Sequence, residues 1–289
     1  MKLGISGASG NLGKAVLAEI AARNAGATSI GISRTPQSLP FAAEGRRGDY
    51  DQPETLAAAY AGLDRLLIIP SSDLRPGVRA AQYVAAIDAA VAAGVKHIVL
   101  LSALGTRMQE EPSVGASYWV GEQHLIKTAP RWTIVRMGYY AEAFAQEARM
   151  SADMGVLTGL SENRVSYVAR GDVAAAVAGV LVGEGHIGAI YSATGPKSLT
   201  GAQRAEAAST LTGKPFGFVI LTEEQLRVGM TQAGLPEDVV NAVASIQASF
   251  SAGAFDVVTG DVEKLSGRAP KTLKEVLAAL SLHESRGQQ

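Results

Sequence analysis

The sequence predicts an α/β protein built on a doubly wound parallel sheet, with a smaller C-terminal α/β lobe. Short apolar runs at residues 2–6, 29–33, 65–70, 97–102 and 132–136 are bounded by polar or Gly/Pro residues and are mostly β-branched or leucine, as expected of strands buried on both faces. Helical stretches at 11–24, 53–61, 76–93 and 117–128, the first three alanine-rich, fall between them, and strand–helix–strand repetition implies right-handed crossovers. A glycine-rich turn at residues 6–13 joins the first strand to the first helix. In a Rossmann-type sheet that turn is where a phosphate is held.

The elements follow in order. Pro53 and Pro76 open their helices, where a first turn tolerates proline because its N–H has no partner to lose. Gly94 follows the third helix as a C-cap. Beyond residue 138 the pattern is less regular. A helix is expected over 171–182, a strand over 190–194, and helices over 200–211, 222–233, 237–251 and 272–280. The tail after Ser281 is polar and expected to fray. We divide the chain into a dinucleotide-binding core, residues 1–138, and a smaller substrate-binding lobe, residues 139–289. The lobe is interleaved with the core and not expected to fold alone.

Composition narrows the function. The 289 residues are 47% hydrophobic and 18% charged, enough apolar material for a core and unlike a disordered chain. The net charge is −1, so there is no excess of cations for nucleic-acid binding. With no cysteine, disulfides, thiolate zinc sites and cysteine nucleophiles are excluded. His97, His124, His186 and His283 have no metal-binding spacing, and no metal is expected. The apolar stretch from Val173 to Gly183 is too short to span a bilayer, and the chain opens without the apolar core of a signal peptide. A soluble cytoplasmic protein without nucleic-acid or membrane partners is expected, with a homodimer as one possible assembly.

The strongest signal is Ser6-Gly7-Ala8-Ser9-Gly10-Asn11-Leu12-Gly13. Glycine allows a sharp turn and a close backbone approach to a pyrophosphate, whose charge the free N–H groups and the positive helix end then hold. Gly13 lets the helix pack close to the strand. Gly7, Ser9, Gly10, Asn11, Leu12 and Gly13 are therefore candidate cofactor contacts. An NAD-selective site places a carboxylate about 20 residues on. Here Ser33 and Arg34 stand at that distance. With a guanidinium in place of a carboxylate, Arg34 is a candidate partner for a 2′-phosphate, and NADPH is the expected cofactor.

Further segments carry a family likeness. The glycine loop and Arg34 are joined by Gly-Asp-Tyr-Asp-Gln-Pro-Glu-Thr-Leu at 48–56, Gly-Val-Lys-His-Ile at 94–98, Trp-Thr-Ile-Val-Arg at 132–136, Leu235-Pro236 and a C-terminal helix at 273–280. Together they resemble the NmrA-like branch of atypical short-chain dehydrogenases/reductases, and within it the bacterial NADPH quinone oxidoreductases and triphenylmethane reductases. The resemblance implies that Asp49 and Tyr50 lie beside the adenine. It implies that Pro70, Ser71 and Ser72 run past the ribose and phosphates, and that Ser102 faces the nicotinamide.

Short-chain dehydrogenases that reduce carbonyls pair a tyrosine with a lysine four residues on, whose cation lowers the phenol pKa. The matching segment here is Tyr118-Trp119-Val120-Gly121-Glu122. The tyrosine is present as a candidate catalytic group, but a carboxylate fills the lysine position and is expected to push the phenol up. This favours acceptors that take hydride without a strong acid, such as quinones and other conjugated small molecules held over the nicotinamide. Tyr139 and Tyr140, after the strand at 132–136, could stack on such an acceptor. The expected activity is NADPH-dependent reduction of a quinone-like or otherwise conjugated acceptor. The alternative is a non-catalytic NADP(H)-binding redox sensor of the NmrA type.

Overall fold

A computed structural model of the chain describes residues 1–23 and 25–287. In its first half, β1 (Lys2–Ser6), α1 (Asn11–Arg23), β2 (Thr28–Ser33), β3 (Glu44–Arg47), α2 (Leu56–Tyr60), β4 (Arg65–Ile68), α3 (Val78–Ala92), β5 (His97–Ala103), α4 (Val114–Thr128) and β6 (Trp132–Met137) alternate. Then come β7 (Tyr139–Tyr140), α5 (Ala141–Met150), β8 (Val156–Gly159), β9 (Val165–Val168), α6 (Arg170–Val182), β10 (Ala189–Ala193) and β11 (Ser198–Leu199). The chain continues through α7 (Gly201–Thr212), β12 (Gly217–Ile220), α8 (Glu223–Gln232), α9 (Glu237–Ser251), α10 (Asp261–Ser266) and α11 (Leu273–Gly287).

Seven strands form one sheet in the order β10-β6-β5-β4-β1-β2-β3, every neighbouring pair parallel. Their side chains alternate between two apolar layers. Leu3, Ile5, Leu67, Val99, Leu101 and Val135 face α1 and α6. Ile30, Leu66, Ile68, Ile98, Leu100 and Ile134 face α2, α3 and α4. Burial on both faces is why these strands read as unbroken apolar runs. Because β1 lies beside both β2 and β4, the strand order reverses there, opening a crevice at the carboxyl ends of the strands.

The predicted elements appear with shifted ends. The helix expected at 11–24 is α1, and Asn24 lies outside the described residues. The run at 65–70 ends as a strand at Ile68; Ile69 still donates to Ser6 O at 3.1 Å, and Pro70 has no N–H to continue the ladder. The helix expected at 53–61 is a 3-10 turn, Pro53–Thr55, followed by α2. The C-terminal helix does not stop at 280 but runs to Gly287. Thr200 and Thr222 each open a helix with a reciprocal capping box, to Gln203 and Gln225.

Two small sheets, β11-β9-β7 and β12-β8, belong to the C-terminal part, whose core gathers Phe144, Tyr167, Phe250, Phe255 and Leu277. Residues from beyond 138 also complete the main sheet, since β10 is its edge strand and α6 covers one face. Among the described residues no helix is long and apolar enough to cross a membrane.

Candidate active site

The turn after β1 is built by two glycines. Gly7 has a φ of 87°, a left-handed value open to glycine at little cost, and its N–H and that of Ala8 both donate to Ile32 O at 3.1 Å. A Cβ on Gly13 would lie 2.6 Å from Ala8 Cα and closer still to Gly7 O, so only glycine lets α1 start this near the strand. Gly10 differs: a Cβ there would meet only Gly7 O, at 3.4 Å. The protein leaves that space clear. Among the described residues, the amides of Ser9, Asn11, Leu12 and Gly13 donate to no backbone or side-chain oxygen. Four free N–H groups at a helix start form an anion site.

From this loop a groove of about 540 Å³ crosses the carboxyl ends of the sheet. Its outer end is lined by Ser33, Arg34, Gly48, Asp49, Tyr50 and Asp51, its middle by the glycine loop and Ile69–Pro70–Ser71–Ser72, and its inner end by Leu101, Tyr118, Met137, Tyr140 and Arg170. The sheet steps from β3 to β6 along it, roughly 24 Å at the usual strand spacing, a span suited to an extended dinucleotide.

At the outer end Arg34 is exposed, and among the described residues its side chain has no hydrogen bond or ion pair. Asp49 is partly engaged: its carboxylate accepts from the Asp51 amide at 3.1 Å while its own amide donates to Thr55 Oγ1 at 2.9 Å. The Tyr50 hydroxyl donates to Ile69 O at 2.8 Å, and burial pushes its pKa well up. Ser71 Oγ donates to Gln82 Oε1, and Gln82 Nε2 donates to Asp51 at 2.8 Å. This chain of bonds ties the β3 and β4 loops together beneath the groove.

At the inner end Tyr118 is 7% exposed. Its ring packs 6.1 Å from that of Tyr83 and under the Arg79 guanidinium, 5.3 Å away. Burial pushes the phenol up and the Arg79 charge pulls against it. The expected direction is therefore present, but its cause is not Glu122. That carboxylate is 1% exposed and turned away, accepting from Ser102 Oγ at 2.6 Å and from Arg136 Nε and Nη2 at 2.8 and 2.6 Å.

Two expected residues are placed elsewhere. Ser102 is fully buried, held by Glu122 and Thr106, and does not line the groove. Tyr139 turns into the lobe core, 5.2 Å from Phe250 and 6.0 Å from Tyr167, because β7 pairs with β9 and alternate residues face opposite ways. Tyr140 faces the groove, with its hydroxyl on Met137 Sδ at 3.0 Å and Arg170 5.3 Å from its ring centroid.

The sequence reading missed Arg79 and Arg170. A signal existed: both stand in the first turn of a helix, where the helix dipole disfavours a cation. Arg79 is held there by Ser71 O and Asp73 O at 3.1 and 3.0 Å. Among the described residues no His, Asp and Glu cluster could hold a metal. A second cavity, about 530 Å³, lies in the lobe between α7 and α11 and is lined by none of the residues expected to contact cofactor or acceptor.

A groove of this shape, with free helix-start amides at its centre, calls for comparison with nucleotide-binding proteins. The sequence model of a family described as NAD(P)H-binding matches residues 7–183. The chain belongs to that NAD(P)H-binding family. It is 32% identical to the NAD(P)H azoreductase of Xenophilus azovorans over 240 residues, 80% of each chain. It superposes on the NADPH complex of Escherichia coli quinone oxidoreductase 2 with a TM-score of 0.87 at 29% identity, covering 96% of this chain and 99% of that one. The NADP(H) complex of Citrobacter sp. triphenylmethane reductase gives 0.85 at 27% identity, with 96% and 99% covered. This member of the NAD(P)H-binding family is an NAD(P)H-dependent oxidoreductase.

Proposed function

We propose that the protein reduces a quinone-like or otherwise conjugated small molecule with NADPH, and that the groove is its active site. The observation that carries the reading is the groove's division of labour. Free amides and an unpaired guanidinium occupy one half, and a buried tyrosine with apolar and aromatic walls occupies the other. The similarity to an azoreductase, a quinone oxidoreductase and a triphenylmethane reductase supports the same class of acceptor.

The residues present fit the cofactor. The amides of Ser9, Asn11, Leu12 and Gly13 would hold the pyrophosphate, with the clear space at Gly10 admitting it. Arg34 would take the 2′-phosphate, Asp49 and Tyr50 would border the adenine, and Pro70, Ser71 and Ser72 the ribose and phosphates. When bound, NADPH supplies a hydride. Tyr118 remains protonated at neutral pH because burial raises its pKa, so its hydroxyl is a hydrogen-bond donor and not a base. Among the described residues that hydroxyl has no partner, leaving its proton free for an acceptor oxygen. An electron-deficient acceptor needs no stronger acid, since hydride reduces it to a delocalised product. Tyr140 offers a ring face, and orientation supplies much of the rate.

The test is the loss of reduced-nicotinamide absorbance across quinones, azo dyes and enones, with NADH as the control and NADPH binding measured by calorimetry. Acceptor-dependent oxidation is expected. Tight NADPH binding without oxidation of any acceptor would instead assign the protein to redox sensing.

A further inference from the structure

The inner end of the groove carries a charge that the proposed reaction has not used. Arg170 is the first residue of α6 and half-buried. Its guanidinium lines the groove beside Tyr118 and Met137 and stands over the Tyr140 ring. Among the described residues it has no hydrogen bond or ion pair. The other inward-facing arginines are engaged: Arg65 on the carbonyls of Leu181 and Gly183, Arg79 on those of Ser71 and Asp73, Arg136 on Glu122, and Arg204 on Asn163. Arg170 also sits where the positive end of a helix opposes it. Glu142 places both carboxylate oxygens on the Arg170 backbone amide, at 3.1 and 3.2 Å. It answers the helix end and leaves the guanidinium unpaired.

We propose that Arg170 selects the acceptor by charge, favouring neutral or anionic acceptors that become anions on reduction and disfavouring acceptors that are cations. The inference rests on the reading of the groove as an oxidoreductase site. When a quinone takes up hydride from NADPH, a C–H bond of the reduced nicotinamide breaks with its electron pair passing to the quinone, an O–H bond forms at one quinone oxygen, NADP⁺ is left, and the quinone gains two electrons and a proton. The product is the hydroquinone monoanion, and a solvent proton completes the hydroquinone. When a triphenylmethane dye cation takes up hydride at its central carbon, the product is neutral. Negative charge therefore develops on the acceptor in the first reaction, and positive charge disappears in the second. A guanidinium beside the acceptor stabilises the first transition state, and repels the second acceptor before it reacts. The likeness to both a quinone oxidoreductase and a triphenylmethane reductase leaves that choice open, and Arg170 decides it toward the quinone.

The experiment compares wild type, Arg170→Gln and Arg170→Lys, each with melting temperature and NADPH affinity recorded. Menadione and malachite green serve as neutral and cationic acceptors. Naphthoate and naphthylmethylammonium serve as non-reacting probes, titrated calorimetrically into the protein–NADP⁺ complex. Wild type is expected to favour menadione over malachite green in kcat/KM by about tenfold or more, and to bind naphthoate over the ammonium probe. Arg170→Gln is expected to narrow both ratios by about tenfold with NADPH affinity kept, and Arg170→Lys to retain most of the preference. If Arg170→Gln fails to fold, the wild-type ratios and the lysine variant decide. Equal naphthoate and ammonium binding in wild type, or ratios unchanged in Arg170→Gln, would overturn the inference while leaving the oxidoreductase reading intact. Oxidation of NADPH by no acceptor would overturn both.

Discussion

Arg79 and Tyr118 face each other across the inner groove, the guanidinium carbon 5.3 Å from the centre of the phenol ring. The cation comes from α3, and the tyrosine from α4. This differs from a lysine one helical turn along the same helix, because it acts on the ring face and leaves the hydroxyl without a hydrogen-bond donor. It also anchors the loop between β4 and α3. Two variants separate these roles. Tyr118→Phe is expected to lower kcat for quinones by about tenfold, the worth of one hydrogen bond to a charged transition state, with NADPH affinity unchanged. Arg79→Ala is expected to raise the KM for NADPH as well, by freeing Ser71 and Asp73. A Tyr118→Phe enzyme with unaltered kcat would remove the hydroxyl from the reaction.

Arg34 gives a cleaner test because among the described residues its side chain has no hydrogen bond or ion pair. Arg34→Ala is expected to weaken NADPH binding on the order of tenfold or more, through loss of a charge-assisted contact to phosphate, and to leave NADH binding nearly unchanged. Calorimetry with both nucleotides and with adenosine 2′,5′-bisphosphate reads the difference. Equal losses for NADPH and NADH would remove Arg34 from the phosphate site.

Much of this was legible in the chain, for physical reasons. The strands of the main sheet that are covered on both faces announce themselves as apolar runs. β3 does not, because its Glu-Gly-Arg-Arg sequence lies exposed at the sheet edge. The glycine loop and Arg34 could be read because a backbone turn and a chain distance define them. Ser102 could not be placed, since its orientation depends on the buried Glu122 carboxylate from another element. Tyr139 and Tyr140 are neighbours in sequence, and only the pairing of β7 with β9 shows which one reaches the groove.

His97 predicts an acid limit to stability. It is 6% exposed, and burial together with the Arg65 charge lowers its pKa to about 4 from the ordinary 6.5. Thr133 Oγ1 donates to His186 O at 2.6 Å, so it accepts from His97 Nε2 at 2.9 Å, which sets the neutral Nε2–H tautomer. A depressed folded-state pKa stabilises the fold above pH 6.5, and that contribution is lost as pH falls toward 4. The amount is on the order of 3 kcal/mol. Denaturant midpoints are expected to fall across that window, and His97→Gln is expected to flatten the fall. An unchanged slope would show that other groups set it.

The Glu122–Arg136 pair predicts that the short-chain dehydrogenase dyad cannot be restored by one substitution. Glu122 is buried with Arg136 and Ser102 as partners. Glu122→Lys would bury a second cation against Arg136, and breaking a buried pair costs roughly 3–5 kcal/mol even without added repulsion. The variant is expected to melt well below wild type and to show no gain in reduction of simple ketones. The double variant Glu122→Lys, Arg136→Glu reverses the pair and is expected to recover part of the melting temperature. No recovery would indicate that the surrounding geometry, and not charge, sets the cost.

Gly10 and Gly13 lie three residues apart in the same loop and are expected to fail in different ways. A Cβ on Gly13 would strike Ala8 and the Gly7 carbonyl, which are backbone atoms that cannot rotate aside. Gly13→Ala should therefore lose about 1–3 kcal/mol of stability through overpacking, and with it the loop shape that frees the amides. A Cβ on Gly10 would meet only the Gly7 carbonyl at 3.4 Å, close to an ordinary contact. Gly10→Ala should melt near wild type yet bind NADPH on the order of tenfold more weakly, because the methyl enters the space reserved for the pyrophosphate. Chemical denaturation and calorimetry on the two variants give a crossed result if this is right: stability lost in one, affinity alone lost in the other. Full NADPH affinity in Gly10→Ala would mean that the nucleotide does not approach the loop at that residue, and the pyrophosphate would have to be placed elsewhere along the groove.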